Sequence, residues 1–251
     1  MIELDRRRFI FKIKEIWFSD YPYDIKGHDI VRFHACKNEV NMDGFECIES
    51  PTLLIDLTQD LDTIFKNMNK TCRNLINRAM REGILVTLSQ NYEEFYKMFD
   101  RFRNKKVLSG MIEKFEIIKK YGTLFVGEFE KEMIAGGLFL EDQQAIRYWY
   151  SASKRLETDK NKQNLIGNAN RLILWEAMKY AKEKGIKEFD LGGYYKGEDK
   201  NDPRYTINIF KQGFGGKLVT YYTYEKDYSR LHHFIRNLYG LKLVRMGGLL
   251  R

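Results

Sequence analysis

TLFVGEFEKEMIAGGLFLEDQQAIRYWYSAS, residues 123–153, holds three apolar runs separated by two short polar connections. Thr123 to Phe129 and Met133 to Leu140 flank Glu130-Lys131-Glu132, and Ala145 to Ser153 follows the polar turn Glu141 to Gln144. The runs are rich in β-branched and aromatic residues and the connections are too short for a helix. The spacing therefore predicts an antiparallel meander of three strands.

Downstream, the period changes. From about Leu165 to Lys184, Ile166, Ala169, Ile173, Ala177 and Tyr180 share one helical face, and Leu172, Trp175 and Met178 widen it. Gly185 ends this long helix as its C′ residue. Lys187 to Leu191 reads as a strand, Gly192-Gly193 opens a loop, and Asp202 caps a short helix with Pro203 at its first position and Gly213 beyond its end. Leu218 to Tyr224 is the last strand, and the tail from Asp227 holds one more helix.

Upstream, Leu53 to Leu57 is a short strand after Pro51. From Leu61 to Arg81 the spacing is helical, with Cys72, Leu75, Ile76, Ala79 and Met80 on one face and Gly83 closing the run. Ile84 to Leu88 is a strand, and Tyr92 to Phe102 and Ile112 to Tyr121 are helices separated by a break at Ser109-Gly110. This mixed order indicates an α/β (α+β) fold, a mixed twisted sheet with helices on its faces.

Composition bounds the function classes. The 251 residues are 43% hydrophobic, with 17 Phe, 16 Tyr and 3 Trp, enough for a packed core and too many for a disordered chain. Lys plus Arg is 43 against 35 for Asp plus Glu, a formal balance of +8, which suits an anionic partner: nucleic acid, a diphosphate or an anionic membrane face. Cys36, Cys47 and Cys72 are odd in number and widely spaced, so neither a disulfide framework nor a zinc site is expected. Met1 to Phe18 carries Glu3 and Asp5 and alternates Phe9, Phe11, Ile13 with Ile10, Lys12, Lys14, unlike a signal peptide. The longest apolar stretch elsewhere, Met133 to Leu140, is far below the ~20 residues of a membrane span. The expected location is the reducing cytoplasm.

Four further segments occur in a telling order: Tyr148 to Ser153, Leu174 to Gly185, Phe189-Asp190-Leu191-Gly192-Gly193, and Ile209-Phe210-Lys211-Gln212-Gly213-Phe214-Gly215-Gly216. With Asp56-Leu57 and the basic run Lys70 to Gly83 upstream, residues of about 50 to 225 resemble the Fem family of peptidoglycan interpeptide-bridge transferases, part of the GNAT superfamily. The resemblance implies a GNAT-type acyltransferase fold. It also implies transfer of an amino acid from aminoacyl-tRNA to an amine of a cell-wall or cell-envelope precursor, with the charged tRNA as co-substrate and no bound cofactor. An acyl-CoA-dependent N-acyltransferase acting on an amino sugar or amino acid, with acetyl-CoA as donor, is the alternative. The corresponding division of the chain is an N-terminal extension of strands over 1–49, an acyltransferase domain over 50–226 and a helical tail over 227–251.

The chain departs from that family in two ways. It has room for one complete GNAT-like half rather than two, so acceptor recognition does not carry over. Lys154 to Asn170, where a coenzyme A-binding protein would place a glycine-rich loop at a helix start, contains only Gly167.

Acyl transfer to an amine requires stabilisation of a tetrahedral oxyanion and a route for the amine proton, and no side-chain nucleophile. The resemblance puts Phe210 and Lys211 at the acyl-donor site, the ammonium facing the tRNA end and the oxyanion, the ring beside the terminal base. Asp190, leading into Gly192 and Gly193, either orients the amine and accepts its proton or caps the loop backbone. Tyr148 and Tyr150, two apart on one strand and hence expected on one face, either line a cleft or pack in the core. Arg73, Asn77 and Arg81 form an i, i+4, i+8 stripe with Lys70 and Arg78 close by, suited to phosphates of tRNA or a nucleotide-linked precursor, or simply solvated. Arg101, Arg103, Lys105 and Lys106 and the tail residues Arg230, Arg236, Lys242, Arg245 and Arg251 add positive surface. The Leu238 to Leu250 pattern either docks as a terminal helix or touches an anionic membrane bearing a lipid-linked acceptor, which would place the protein peripherally on the inner membrane face. No metal site is expected.

Overall fold

The computed structural model describes residues 1–106 and 113–238. The expected break at Ser109-Gly110, the helix start at Ile112 and the tail beyond residue 238, with Lys242, Arg245 and Arg251, lie outside the described residues.

The chain opens with β1 (Ile2–Arg8) and β2 (Phe11–Trp17), an antiparallel hairpin, followed by β3 (Ile30–Cys36), parallel to β2 with Ile13 opposite Ile30. The N-terminal alternation of apolar and charged residues is thus that of strands with one face in a core. β4 (Glu46–Asp56) leads into α1 (Leu61–Asn67) and α2 (Lys70–Arg81). The continuous helical spacing from Leu61 to Arg81 is broken at Met68 and Asn69, both extended, because the Asn69 side chain accepts the Cys72 N–H at 2.7 Å and starts a new helix.

Next come β5 (Leu85–Leu88), α3 (Tyr92–Lys106), α4 (Phe115–Tyr121), then β6 (Thr123–Phe129), β7 (Glu132–Glu141) and β8 (Ala145–Ser153). The last three form the antiparallel meander expected from residues 123–153. A short 3-10 turn, Lys154–Glu157, precedes α5 (Lys160–Glu183), which begins some residues earlier than its apolar pattern. β9 (Glu188–Gly193) runs parallel to β8 and includes Gly192 and Gly193 as strand residues. In α6 (Pro203–Gln212), Asp202 accepts the Arg204 N–H at 2.8 Å and Pro203 occupies the first turn, as the sequence predicts. β10 (Lys217–Asp227) and α7 (Arg230–Leu238) follow.

These elements divide into two compact units. Among the described residues, unit 1 comprises Met1–Thr52, Gly193–Lys196 and those from Leu218 to Leu238, and unit 2 comprises those within Leu53–Gly192 and Gly197–Lys217. The boundary drawn from sequence after residue 226 therefore differs from the packing. Residues 218–226 group with the N-terminal strands, because β10 pairs antiparallel with β3, Glu225 opposite Arg32. Ile16, Val31, Phe33, Cys36 and Tyr224 form one buried cluster of unit 1, and Phe11, Ile13 and Ile30 another.

In unit 2 the sheet order is β9-β8-β7-β6-β5, with helices on both faces. Two adjacent glycines of β7 let those helices approach: a Cβ on Gly137 would lie 2.9 Å from Ile173 of α5, and one on Gly136 would lie 2.5 Å from Phe95 of α3. The expected mixed α/β sheet with an antiparallel meander and flanking helices is what unit 2 shows. Among the described residues, no helix is long and apolar enough to cross a membrane.

Candidate active site

β8 and β9 pair through Ala145–Arg147 and Glu188–Asp190, and the ladder ends there although β8 runs on to Ser153. At this last rung two charged side chains meet inside an apolar setting. Arg147 donates from Nη1 to Oδ2 of Asp190, while Oδ1 of Asp190 accepts the Gly192 N–H at 2.7 Å. Asp190 is 1% exposed. A carboxylate so enclosed is retained because a guanidinium and a backbone N–H replace the water it has lost.

The consequence is a shaped loop. Gly192 adopts φ +80°, and a Cβ there would lie 3.2 Å from the Tyr148 carbonyl oxygen and 3.6 Å from Lys211 Nζ. Lys211, on the last turn of α6, is only 4% exposed, so its ammonium is held in the corner between Gly192 and the Tyr148 backbone. Phe210 stands next to it, edge-on to Phe214 at 5.4 Å and with the Arg171 guanidinium 4.9 Å over its ring. Burial lowers the Arg171 pKa, and burial pushes the nearby Cys72 thiol up to about 11 despite that cation. Cys36 is raised to about 12 by burial. Neither buried thiol is an activated nucleophile, in keeping with chemistry that needs none.

Unit 2 brings Lys211, Asp190, Tyr148, Gly192 and Phe210 into one neighbourhood. Both oxygens of Asp190 accept from protein donors, Arg147 and the Gly192 N–H, so the loop-capping contact is present. Gly193 falls in unit 1.

Tyr148 and Tyr150 do not share a face. Phe139 lies opposite Tyr148 and Leu138 opposite Tyr150, so β8 carries one extra residue, Trp149, at a bulge. Tyr148 packs against Phe139 at 5.3 Å, whereas Tyr150 turns to Phe99 of α3 at 5.2 Å. Desolvation pushes the Tyr148 hydroxyl up to about 12, partly offset by its hydrogen bond with Ser151. At neutral pH it stays protonated and is no general base.

The α2 stripe is also not a uniform phosphate contact. Arg73 folds back to donate to the carbonyl oxygens of Lys66 and Met68, finishing α1. Arg78 pairs with Glu82 at 2.7 Å, four residues on. Arg81 is exposed. Arg78 and Glu82 do line a pocket of about 380 Å³ with Phe129, Lys162, Asn164 and Leu165, and Lys211 is not among its walls. Asn168 donates to Glu82 at 3.4 Å, one helical turn before Arg171, so α5 links this pocket to the Phe210 ring.

Two residues of the neighbourhood escaped the sequence reading, Arg147 and Arg171. Each is a cation within an otherwise apolar stretch, Ala145-Ile146-Arg147-Tyr148-Trp149 and Arg171-Leu172-Ile173-Leu174-Trp175, and that placement demands a partner. Among the described residues, no group of three His, Cys, Asp or Glu side chains could hold a metal ion.

The loop geometry is directly testable. Gly192→Ala forces a Cβ into a left-handed backbone, a cost of about 1–2 kcal/mol, and towards the Tyr148 carbonyl. Thermal unfolding should fall by about 5 °C, and any activity depending on Lys211 by at least about tenfold through misplacement.

Residues 112–231 match the model of the FemAB family, a stretch that contains Arg147, Tyr148, Arg171, Asp190, Gly192, Phe210 and Lys211. No curated protein matches the sequence. Among solved structures the chain is similar to FemX, at 13% identity over 94% of this chain and 85% of that one, with a TM-score of 0.62. It is similar to the C-terminal domain of a putative lysylphosphatidylglycerol synthetase from Agrobacterium fabrum, at 14% identity over 88% and 74% of the two chains, TM-score 0.58. L-PGS from Bacillus licheniformis aligns at 17% identity over 87% and 73%, TM-score 0.55. At such identities these likenesses establish the fold, and the sequence match is to the FemAB family model over residues 112–231.

Proposed function

We propose that the protein is an aminoacyltransferase that takes an amino acid from aminoacyl-tRNA and joins it by an amide bond to an amine of a cell-envelope molecule. The observation that carries this reading is the buried Lys211 ammonium, held against the Gly192 backbone where β8 and β9 part. The amine attacks the ester carbonyl, a C–N bond forms, and the carbonyl oxygen gathers negative charge beside Nζ. Collapse breaks the C–O bond to the tRNA ribose, and the departing ribose oxygen takes up the proton the amine gives away, leaving as a hydroxyl. A preorganised cation in a site that excludes water stabilises that charge without reorganising.

Phe210, with Arg171 over its ring, suits the terminal base of the donor, and the exposed cations Arg81 and Lys162 suit phosphates further along the strand. Since charged tRNA is cytoplasmic, the reading assigns the reaction to the cytoplasm, at the inner face of the membrane that carries the acceptor.

Coenzyme A is disfavoured as donor by the start of α5. There the Asp159 carboxylate accepts the Lys162 N–H at 3.1 Å, so a pyrophosphate would meet a negative charge at that helix end.

The test is to incubate the purified protein with labelled aminoacyl-tRNA or labelled acetyl-CoA and a panel of acceptors containing amine-bearing envelope precursors and phosphatidylglycerol. Amide product on an amine acceptor that disappears on ribonuclease treatment is the expected result. Product that survives ribonuclease and requires the CoA thioester would reverse the donor, and product on the lipid hydroxyl would replace the amide by an ester.

A further inference from the structure

Unit 1 presents an apolar tip that its own core does not use. Arg8 lies opposite Phe11, so the entire turn of the β1–β2 hairpin is Phe9-Ile10. Two-residue hairpin turns favour Asn, Asp or Gly, because the backbone must enter the left-handed region. Here Phe9 does so, at φ 53°. The two side chains are 84% and 69% exposed. A bulky aromatic in that conformation costs stability, and the Arg8 guanidinium 6.0 Å over the exposed Phe9 ring offsets only part of it. A local rule broken for so small a gain inside the fold points to work outside it.

The surroundings identify the partner. Arg7 and Lys12 are exposed beside the tip and Arg8 is half-buried. Arg6 is already paired with Glu15 at 2.8 Å, and Asp29, the carboxylate at Lys12, is half-buried and accepts the Lys12 backbone N–H at 2.7 Å. The His232 ring of α7 packs edge-on against Phe11 at 4.9 Å, and Ile235 joins the Phe11, Ile13 and Ile30 cluster, which fixes α7 at the tip end of the hairpin. Leu231 and Phe234 stand exposed on that helix, near Arg230.

We propose that the Phe9-Ile10 tip inserts into an anionic lipid bilayer, with Arg7, Arg8, Lys12 and Arg230 meeting the lipid phosphates. An apolar wedge ringed by cations matches the boundary between acyl chains and charged headgroups. A nucleic acid would satisfy the cations but offers the aliphatic Ile10 no apolar phase. The inference is independent of the transfer chemistry, since docking is measured without any acyl donor.

The experiment is sedimentation of the full chain with vesicles of phosphatidylcholine containing about one-third phosphatidylglycerol, against vesicles of phosphatidylcholine alone. Binding to the anionic vesicles only, falling as salt is raised, is expected. Phe9→Ser/Ile10→Ser should weaken it roughly 30-fold or more, and Arg7→Gln/Arg8→Gln/Lys12→Gln roughly 100-fold. Both variants are surface changes, and unchanged thermal unfolding verifies that they fold. Phe9→Trp should show blue-shifted emission with the anionic vesicles and quenching by brominated acyl chains. Undiminished binding of the Phe9→Ser/Ile10→Ser protein, equal binding to neutral vesicles, or no binding to either would overturn the proposal. So would a tRNA affinity that falls with that same double substitution while vesicle binding does not.

Discussion

Lys211→Met lowers amide formation by roughly 10²–10³-fold, the scale of losing one oxyanion donor. The side chain is of similar length and the position is buried, so the substitution removes the charge while keeping most of the packing at the end of α6. If the ammonium acts on the tetrahedral state, kcat and kcat/KM fall together, whereas a contact made equally to bound donor raises KM alone. Single-turnover assays with labelled aminoacyl-tRNA, run beside a thermal unfolding curve, separate these outcomes. A folded Lys211→Met protein with near-normal turnover would remove Lys211 from the chemistry.

The second large effect concerns the pair beneath that lysine. Arg147→Met leaves the Asp190 carboxylate buried without its guanidinium, a loss of about 3–5 kcal/mol. For a chain of this size that corresponds to a fall of about 10 °C in Tm. Arg147→Met/Asp190→Leu removes both charges and should recover most of the stability, because replacing a buried ion pair by apolar groups is close to neutral. Activity should not return with it. Asp190 Oδ1 is the acceptor for the Gly192 N–H, and the double variant has no acceptor to set the loop against Lys211 Nζ. Recovery of activity along with stability would show that the pair serves the fold alone.

The meander over residues 123–153 was legible because short-range alternation and polar turns decide it. The Asp202-Pro203 helix start and the glycines closing α2 and α5 were legible for the same reason, each being fixed by a few neighbouring residues. What the sequence concealed depends on register between distant strands. Trp149 is an ordinary strand residue until β8 is laid against β7, and only then does the extra step send Tyr148 and Tyr150 to opposite faces. Arg147 and Asp190 are far apart in the chain, and nothing short-range announces that a parallel pairing puts them on the same rung. Arg73 occupies a helical stripe by spacing, yet the break at Asn69 leaves α1 carbonyl groups within its reach, and it turns inward. The Fem-like residues located the neighbourhood of Lys211. Burial and hydrogen bonds then show Asp190 accepting from Arg147 and from the Gly192 N–H, and Lys211 enclosed beside Gly192.

The central claim is that the corner formed by Gly192, the Tyr148 backbone and Lys211 receives the acyl carbonyl of a charged tRNA end. A crystal structure of the protein with a hydrolysis-resistant, amide-linked aminoacyl-adenosine mimic of that end tests it most directly. The account predicts the mimic's carbonyl oxygen within hydrogen-bonding distance of Lys211 Nζ and its base beside Phe210. A mimic bound elsewhere, with Lys211 turned away from it, would contradict the account.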